Sequence, residues 1–218
     1  WGCKSRGWAC VNRWKVDAVG IDRPRPAGFA MNDAAHYEGR FLIGAPDLDD
    51  PNFYRSVVLI VDHNESGALG LILNRPTQTP LSQVWEKVGE GPCLREAFLH
   101  MGGPCEGLLS AVHDDASLQQ VEIAEGLYFS AEAPLLTRLI EESDAQARAR
   151  FFVGYAGWGP GQLESEVERG GWLLCPATAD DAFAGVDDLW PRILKRINPS
   201  WASLTFNPAI VPEDPSSN

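Results

Sequence analysis

Two apolar runs separated by a short polar turn constrain the fold of this chain more than any other feature. Ser56 to Val61 reads SVVLIV, and Ala68 to Leu73 reads ALGLIL. Continuous apolar runs of this length are typical of strands that are buried on both faces. The segment between them, Asp62 to Gly67, is too short for a helical crossover, so it predicts a hairpin-like turn.

Similar patterns predict the rest of the secondary structure. Strands are predicted at 41–44, 98–101, 108–112, 150–155, 172–175 and at the end of 121–129, and helices at 80–88, 133–142, 162–168 and 187–197. Several of the strands are joined by loops that are too short to hold a helix, so a purely doubly wound sheet is not expected. We predict an α+β fold of one domain, in which helices pack around a mixed sheet.

The two ends of the chain differ from its centre. Residues 1–35 form a basic N-terminal arm, which we expect to be disordered or a non-native extension, with Met31 as the biological start. The alternative is a native basic arm that binds anionic surfaces. The central domain is predicted at 36–197. A Pro-rich tail at 198–218 is expected to be extended or disordered. The whole chain has 218 residues and a net charge of −12. Because residues 1–30 carry a net charge of +4, the remaining residues carry −16, and the domain is acidic.

Composition excludes several classes of protein. No run of apolar residues is long enough for a transmembrane helix, so no membrane association is expected. The five cysteines form no CxxC pair, and an odd number at irregular spacing does not indicate a disulfide scaffold. We therefore expect free thiols in a cytoplasmic protein. The sequence predicts no metal site and no cofactor.

Four blocks of sequence carry a recognisable pattern. They are FLIGAP with DPNF and SVV between residues 41 and 58, GALGLILNRP at 67–76, GGP at 102–104 and GYAGWGPGQLE at 154–164. In order and spacing they resemble the bacterial AlgH/YqgE family over residues 38–197; Cys105 stands where that family usually has an apolar residue. The resemblance implies a single α+β domain with a compact β-barrel-like sheet surrounded by helices, and no established reaction.

The glycine-rich block predicts either an anion site or close packing. Gly154 to Glu164 holds four glycines between a predicted strand and a predicted helix, a position where backbone N–H groups can bind an anion. The block has neither the lysine and hydroxyl of GxxxxGK[ST] nor the spacing of GxGxxG, so nucleotide binding is not favoured. The favoured alternative is that the glycines allow close packing, with Tyr155 and Trp158 as core residues.

Arg75 is the strongest candidate for recognising an anion. It directly follows a buried strand, and a guanidinium can hold a carboxylate or phosphate with two hydrogen bonds. The alternative is an ion pair with an acidic residue such as Glu164. Asn74 can bond the backbone at the strand end, which we favour, or present its amide to a ligand. The candidate binding residues are Asn74, Arg75, Gly102, Gly103, Tyr155, Gly157, Trp158, Gly161, Gln162 and Glu164.

Histidines and helix carboxylates give weaker signals. The four histidines form no HxH or HExxH motif. His63 is expected to be exposed in a turn, and His100, just before the Gly102–Gly103 turn, is retained as a candidate site residue. Glu164 and Glu168 lie one helical turn apart, and Glu166 faces elsewhere; such carboxylates typically form the solvated face of a helix. We predict no catalytic residue.

Three functions compete at this point. A non-catalytic binding or regulatory protein that acts through a protein partner is favoured, because the fold carries no assembled catalytic constellation. The alternative is a small-anion-binding protein or enzyme that uses Arg75 and the glycine-rich loop 154–161. Direct nucleic-acid binding is not expected, because an acidic domain repels DNA and no helix-turn-helix is apparent. The label of transcriptional regulator carried by the resembled family comes from a regulatory phenotype, and we expect any such role to be indirect.

Overall fold

The computed structural model describes residues 36–89, 91–118, 120–142 and 147–200 of the chain. Within these ranges it contains eleven strands and five α-helices, with a short 3-10 helix at Ala116–Leu118. The strands are β1 (Arg40–Gly44), β2 (Val57–Asn64), β3 (Gly67–Ile72), β4 (Pro76–Pro80), β5 (Phe98–Met101), β6 (Ser110–His113), β7 (Val121–Ala124), β8 (Leu127–Ser130), β9 (Ala149–Val153), β10 (Ala156–Trp158) and β11 (Trp172–Pro176). The helices are α1 (Leu81–Val88), α2 (Ala133–Glu141), α3 (Gln162–Glu168), α4 (Ala179–Ala182) and α5 (Leu189–Ile197).

The strands form two sheets. The five-stranded sheet has the order β10-β3-β2-β1-β11 and is antiparallel throughout. The six-stranded sheet has the order β4-β5-β9-β6-β8-β7, and β5 and β9 pair in parallel. The predicted α+β domain with helices around a mixed sheet is confirmed. Among the described residues each sheet ends in two edge strands and does not close into a barrel, so the barrel-like sheet that the resemblance implied is wrong.

Three apolar clusters hold the sheets and helices together. The largest contains residues of both sheets and is completed by α4 and α5. The second covers the opposite face of the five-stranded sheet beneath α3. The third joins the six-stranded sheet to α1 and α2. Burial of this apolar surface supplies most of the driving force for folding.

The predicted hairpin is confirmed as β2 and β3. Alternate residues of β2 belong to different clusters, with Leu59 in the first and Ile60 in the second, so both faces of the strand are buried. The polar segment after it is not all turn, because β2 continues through His63 to Asn64 after a register shift between Ile60 and Asp62. The exposed position expected for His63 is therefore wrong: the residue is 6% exposed.

Other differences concern short strands. The strand predicted to end near residue 129 is a hairpin of β7 and β8. β4 begins at Pro76, in a segment where no strand was predicted, and pairs with β5 at only two positions. Pro76 and Pro80 have no backbone N–H to donate to a neighbouring strand, and such residues are tolerated in an edge strand. β10 lies inside the glycine-rich block and pairs with β3.

The ends of the chain lie outside the described residues. This applies to the basic arm, to the proposed start at Met31 and to all but three residues of the Pro-rich tail. Among the described helices, none has the length and apolar character needed to cross a membrane.

Candidate functional site

A cavity lies beside the end of β3 and the start of α5. Its volume is about 310 Å³, near the lower end of the range of roughly 300–1,000 Å³ that is common for small-molecule sites. We call it the Arg55–Arg75 cavity. The residues that line it are Arg55, Asn74, Arg75, Val186, Asp187, Trp190 and Pro191.

Arg75 lies in the cavity wall with its guanidinium held by backbone carbonyls. Its Nη1 donates to the carbonyl oxygen of Asn74 at 3.3 Å, and its Nη2 donates to that of Tyr54. Burial lowers the pKa of Arg75 below its usual value, yet an arginine stays protonated at neutral pH. No carboxylate of the described residues lies within ion-pair distance of it; Glu164, the partner that the sequence suggested, bonds His63 instead.

Asn74 holds the chain segment that carries Arg55. Its side-chain oxygen accepts from the backbone N–H of Val57 at 2.9 Å, and its amide nitrogen donates to the carbonyl oxygen of Arg55 at 2.9 Å. Arg55 has a φ of 51° and is the one non-glycine residue with positive φ in the part of the chain that the structure describes. This left-handed conformation costs on the order of 1–2 kcal/mol for a residue with a side chain. The two bonds of Asn74 stabilise it.

The Arg55 guanidinium rests between two aromatic rings. Its carbon lies 5.1 Å from the ring centroid of Tyr54 and 5.2 Å from that of Trp190. Trp190 is 3% exposed, and its indole N–H donates to the carbonyl oxygen of Gly44 at 2.8 Å. The anchored indole restricts Arg55, because cation–π contact favours one placement of the guanidinium.

A third arginine lies next to the cavity. Arg150 donates from Nη1 to the carbonyl oxygen of Leu73 at 3.0 Å and from Nη2 to that of Ala184 at 2.8 Å. Burial lowers its pKa to about 10, so it is cationic at neutral pH. It also contributes, after burial, to lowering the pKa of His100 to about 4. Arg150 is therefore a cationic side chain bonded to backbone that directly precedes Asn74 in sequence.

One carboxylate belongs to the cavity wall. Asp187 is exposed and stands two residues before α5. Asp187 forms no ion pair with another described residue, although two arginines line the same cavity. Across those ranges, no group of three or more His, Cys, Asp or Glu side chains could hold a metal ion.

The glycine-rich block and the Gly102–Gly103 turn meet each other rather than the cavity. A Cβ on Gly102 would lie 2.3 Å from the carbonyl oxygen of Gly154, and one on Gly103 would lie 2.2 Å from the carbonyl carbon of Tyr155. The backbones of Cys105 and Tyr155 bond each other in both directions at 3.0 Å. This contact occurs where the chain passes from the six-stranded sheet into the five-stranded one, and only glycine permits it.

The side chains of the block are engaged internally. Trp158 is 2% exposed, and its indole N–H donates to Glu166 at 3.0 Å. Gln162 accepts from the backbone N–H of Gly159 and donates to Glu166, both at 3.0 Å. Gly157 lies in β10, and Gly161, with a φ of 71°, is the residue before α3. Of the ten predicted site residues, Asn74 and Arg75 line the cavity and the other eight are not among its lining residues.

Sequence reasoning missed five of the seven residues that line the cavity, and it missed Glu166, which accepts several hydrogen bonds. Arg55 and Val186 gave no local signal, and Asp187, Trp190 and Pro191 were assigned only to the predicted helix at 187–197. Glu166 accepts hydrogen bonds from the indoles of Trp158 and Trp172, each at 3.0 Å. In the sequence, Glu166 could have been noticed because it lies four residues after Gln162, a spacing that lets two side chains of a helix bond each other.

Comparison with known proteins places the chain in one family. The family model described as AlgH-like matches residues 41–202. A UPF0301 protein of Thermobifida fusca is 37% identical, and the match covers 87% of this chain and 99% of that protein. A UPF0301 protein of Myxococcus xanthus is 41% identical over 71% of this chain and 87% of that protein.

Solved structures agree with this relationship. The solution structure of the AlgH protein from Pseudomonas aeruginosa is 30% identical with a TM-score of 0.62, covering 82% of this chain and 94% of that one. The crystal structure of a Corynebacterium diphtheriae protein is 26% identical with a TM-score of 0.63, covering 81% of this chain and 95% of that one. The chain therefore belongs to the AlgH-like family, the bacterial UPF0301 proteins.

Proposed function

We propose that this protein is a non-catalytic binding protein that holds a small anion in the Arg55–Arg75 cavity. One observation carries the proposal: two guanidinium groups line the cavity, and neither has a carboxylate partner among the described residues. Buried or half-buried charges are normally paired, because removing them from water is costly. An anionic ligand would supply the missing partner.

The arrangement of the two arginines favours recognition over structural support alone. Carbonyl oxygens accept hydrogen bonds from Arg75 but do not neutralise its charge. Arg55 is held by the indole of Trp190 and by the bonds that Asn74 makes, so little conformational freedom is left to lose on binding. Preorganised groups bind more tightly because this entropic cost is already met. Each hydrogen bond to a charged group contributes about 1.5–3 kcal/mol.

The lining residues support binding rather than chemistry. A nucleophile needs a general base within hydrogen-bond reach, and the described lining holds neither serine, cysteine nor histidine. The buried pair of His113 and Ser130 is fully enclosed, so it does not serve a substrate. We therefore favour a ligand-dependent regulatory role through a protein partner over an enzymatic one.

Direct nucleic-acid binding stays outside the proposal. The net charge of −12 opposes the phosphate contacts that give DNA binding most of its affinity. A salt-dependent gel shift with the full chain tests this, and a specific shift at physiological salt would contradict it. We place the function in the cytoplasm, because Cys93 and Cys175 form no disulfide within the described residues.

Calorimetric titration of the full chain with inorganic phosphate and with acetate tests the proposal. We expect measurable binding by the unmodified chain and a loss of at least about tenfold in Arg75→Met, since a charge-assisted contact is removed. Arg138→Met is the matched control, because Arg138 is an exposed arginine that pairs with Glu142 on α2 and is not a lining residue of the cavity.

Folding of each variant is checked by circular dichroism. If Arg75→Met fails to fold, Arg75→Lys replaces it, because lysine keeps the charge and loses the planar fork. Equal affinity of the Arg75 variants, the Arg138 control and the unmodified chain would contradict the proposal, as would the absence of anion binding in all of them.

A further inference from the structure

The carboxylate of Asp187 gives the cavity a second kind of binding group. Asp187 lines the same cavity as Arg55 and Arg75, but its carboxylate forms no ion pair with either guanidinium. It is therefore not the internal counter-ion of these arginines within the described part of the chain. A ligand in the cavity meets two cations and one separate anion.

This distribution of charge discriminates between classes of anion. A ligand that carries only negative charge is attracted by Arg55 and Arg75 and repelled by Asp187, and such a repulsion lowers affinity in a partly desolvated site. A ligand that carries an ammonium group beside its carboxylate satisfies all three side chains. Charge pairing of this kind gives specificity more than raw affinity.

The remaining walls suit a small and partly apolar molecule. The lining is mainly polar; Val186 and Pro191 contribute its smaller apolar part, and Trp190 presents its ring to Arg55. The volume of about 310 Å³ is at the small end for ligand sites. A compact zwitterion with a small side chain fits this volume and mixture of charges better than a nucleotide or a polyanion does.

We propose that the cavity binds a small zwitterion of the α-amino acid class, with its carboxylate on Arg55 and Arg75 and its ammonium group on Asp187. The inference rests on the proposed function and adds the role of Asp187 as the residue that determines specificity. Val186 and Pro191 then contact the apolar side chain of the ligand.

Three probes of matched shape separate the contributions. Leucine carries both charged groups, 4-methylpentanoate lacks the ammonium group, and 3-methylbutylamine lacks the carboxylate. Titration of the full chain by calorimetry is expected to show leucine binding at least about tenfold more tightly than 4-methylpentanoate, since one charge-assisted contact is gained. The amine is expected not to bind measurably.

The variant Asp187→Asn tests the residue. We expect leucine to fall to the affinity of 4-methylpentanoate, while 4-methylpentanoate binds equally or more tightly because a repulsive charge is gone. Glu86→Gln is the control, since Glu86 is an exposed residue of α1 that is not a lining residue of the cavity. Both variants remove one negative charge from the chain.

The outcomes distinguish this inference from the proposed function. If leucine and 4-methylpentanoate bind equally and both depend on Arg75, anion binding stands and the zwitterion inference is wrong. The inference is also wrong if Asp187→Asn preserves the preference for leucine. If neither carboxylate binds the unmodified chain, the zwitterion inference is wrong, and the proposed function is wrong as well only if phosphate and acetate also fail to bind.

Discussion

The buried imidazole of His63 donates a hydrogen bond from Nε2 to the carboxylate of Glu164 at 3.0 Å. The other ring nitrogen, Nδ1, accepts from the backbone N–H of Tyr37 at 3.1 Å, which fixes the proton on Nε2. Tyr37 also stacks on the ring, with centroids 5.0 Å apart. One side chain of β2 thus connects α3 to the segment that precedes β1.

The first prediction concerns this connection. His63→Ala is expected to lower the free energy of unfolding by about 2–3 kcal/mol, because it leaves the N–H of Tyr37 unsatisfied and removes a packed ring. Glu164→Gln should cost only about 1 kcal/mol, since its amide oxygen can still accept from Nε2. Urea denaturation measures both, and Glu168→Gln, an exposed change on the same helix, should have almost no effect. A loss in the Glu168 variant as large as in Glu164→Gln would argue against the assignment.

The second prediction tests the packing role of the glycines. In Gly103→Ala the new Cβ would lie 2.2 Å from the carbonyl carbon of Tyr155 and 2.3 Å from the nitrogen of Ala156. Because these neighbours are backbone atoms that pair across the junction of the sheets, they cannot move aside cheaply. We expect a loss of at least about 2 kcal/mol of stability.

Gly171→Ala is the matched control for this change. Its nearest contact would be an ordinary 3.4 Å, and it has no positive φ. Thermal unfolding compares the two variants. Similar midpoints would show that the Gly103 contact relaxes easily and would return the glycine-rich block to the candidates for ligand binding.

The elements that were predicted correctly are those whose signal is local. Ser56–Val61 and Ala68–Leu73 are apolar throughout, so burial on both faces and pairing across a short turn could be read from the sequence. β10 could not be, because Ala-Gly-Trp becomes a strand only through its pairing with β3, far away in the sequence. His63 was misplaced because the irregularity after Ile60 lets β2 continue into a polar segment.

Only part of the candidate site could be predicted from the sequence. Asn74 and Arg75 directly follow a buried strand, and this marks them in the sequence. Arg55 owes its place to a left-handed backbone conformation held by Asn74, and Trp190 reaches it from a helix near the other end of the chain. Residues brought together by such long-range contacts leave no spacing pattern to detect.

The third prediction is a loss of stability in mild acid. Burial, and secondarily the charge of Arg150, lowers the pKa of His100 from 6.5 to about 4 in the folded state. The unfolded chain therefore takes up this proton first, and the stability that the neutral ring contributes is present above pH 6.5 and is lost as the pH falls towards 4. Burial lowers the pKa of His113 in the same sense.

The contribution of His100 can be isolated by substitution. His100→Phe should flatten the decline in unfolding free energy between pH 6.5 and 4 by about 2 kcal/mol, allowing for the solvent that reaches the partly exposed ring. His36→Gln, an exposed change, should leave the decline as it is. Urea denaturation at a series of pH values provides the measurement. An unchanged slope in His100→Phe would contradict the assignment.

The last prediction separates folding from binding at Arg55. Arg55 has a φ of 51°, and Arg55→Gly removes the Cβ that makes this conformation unfavourable. The variant also loses the cation–π contacts with Tyr54 and Trp190, and glycine makes the unfolded chain more flexible. The gain and the two losses are expected to offset each other. We expect the free energy of unfolding to change by less than about 1 kcal/mol. Anion affinity should fall at least about tenfold, because one of the two guanidinium groups is gone.

Arg55→Ala provides the matched comparison. It removes the same guanidinium but retains a Cβ in the left-handed conformation, so it should lose as much affinity as Arg55→Gly and be less stable by about 1 kcal/mol. Calorimetric titration with phosphate and urea denaturation measure the two quantities separately. If Arg55→Gly binds phosphate as tightly as the unmodified chain, Arg55 serves only to close the wall against Trp190, and recognition of the anion falls to Arg75 alone.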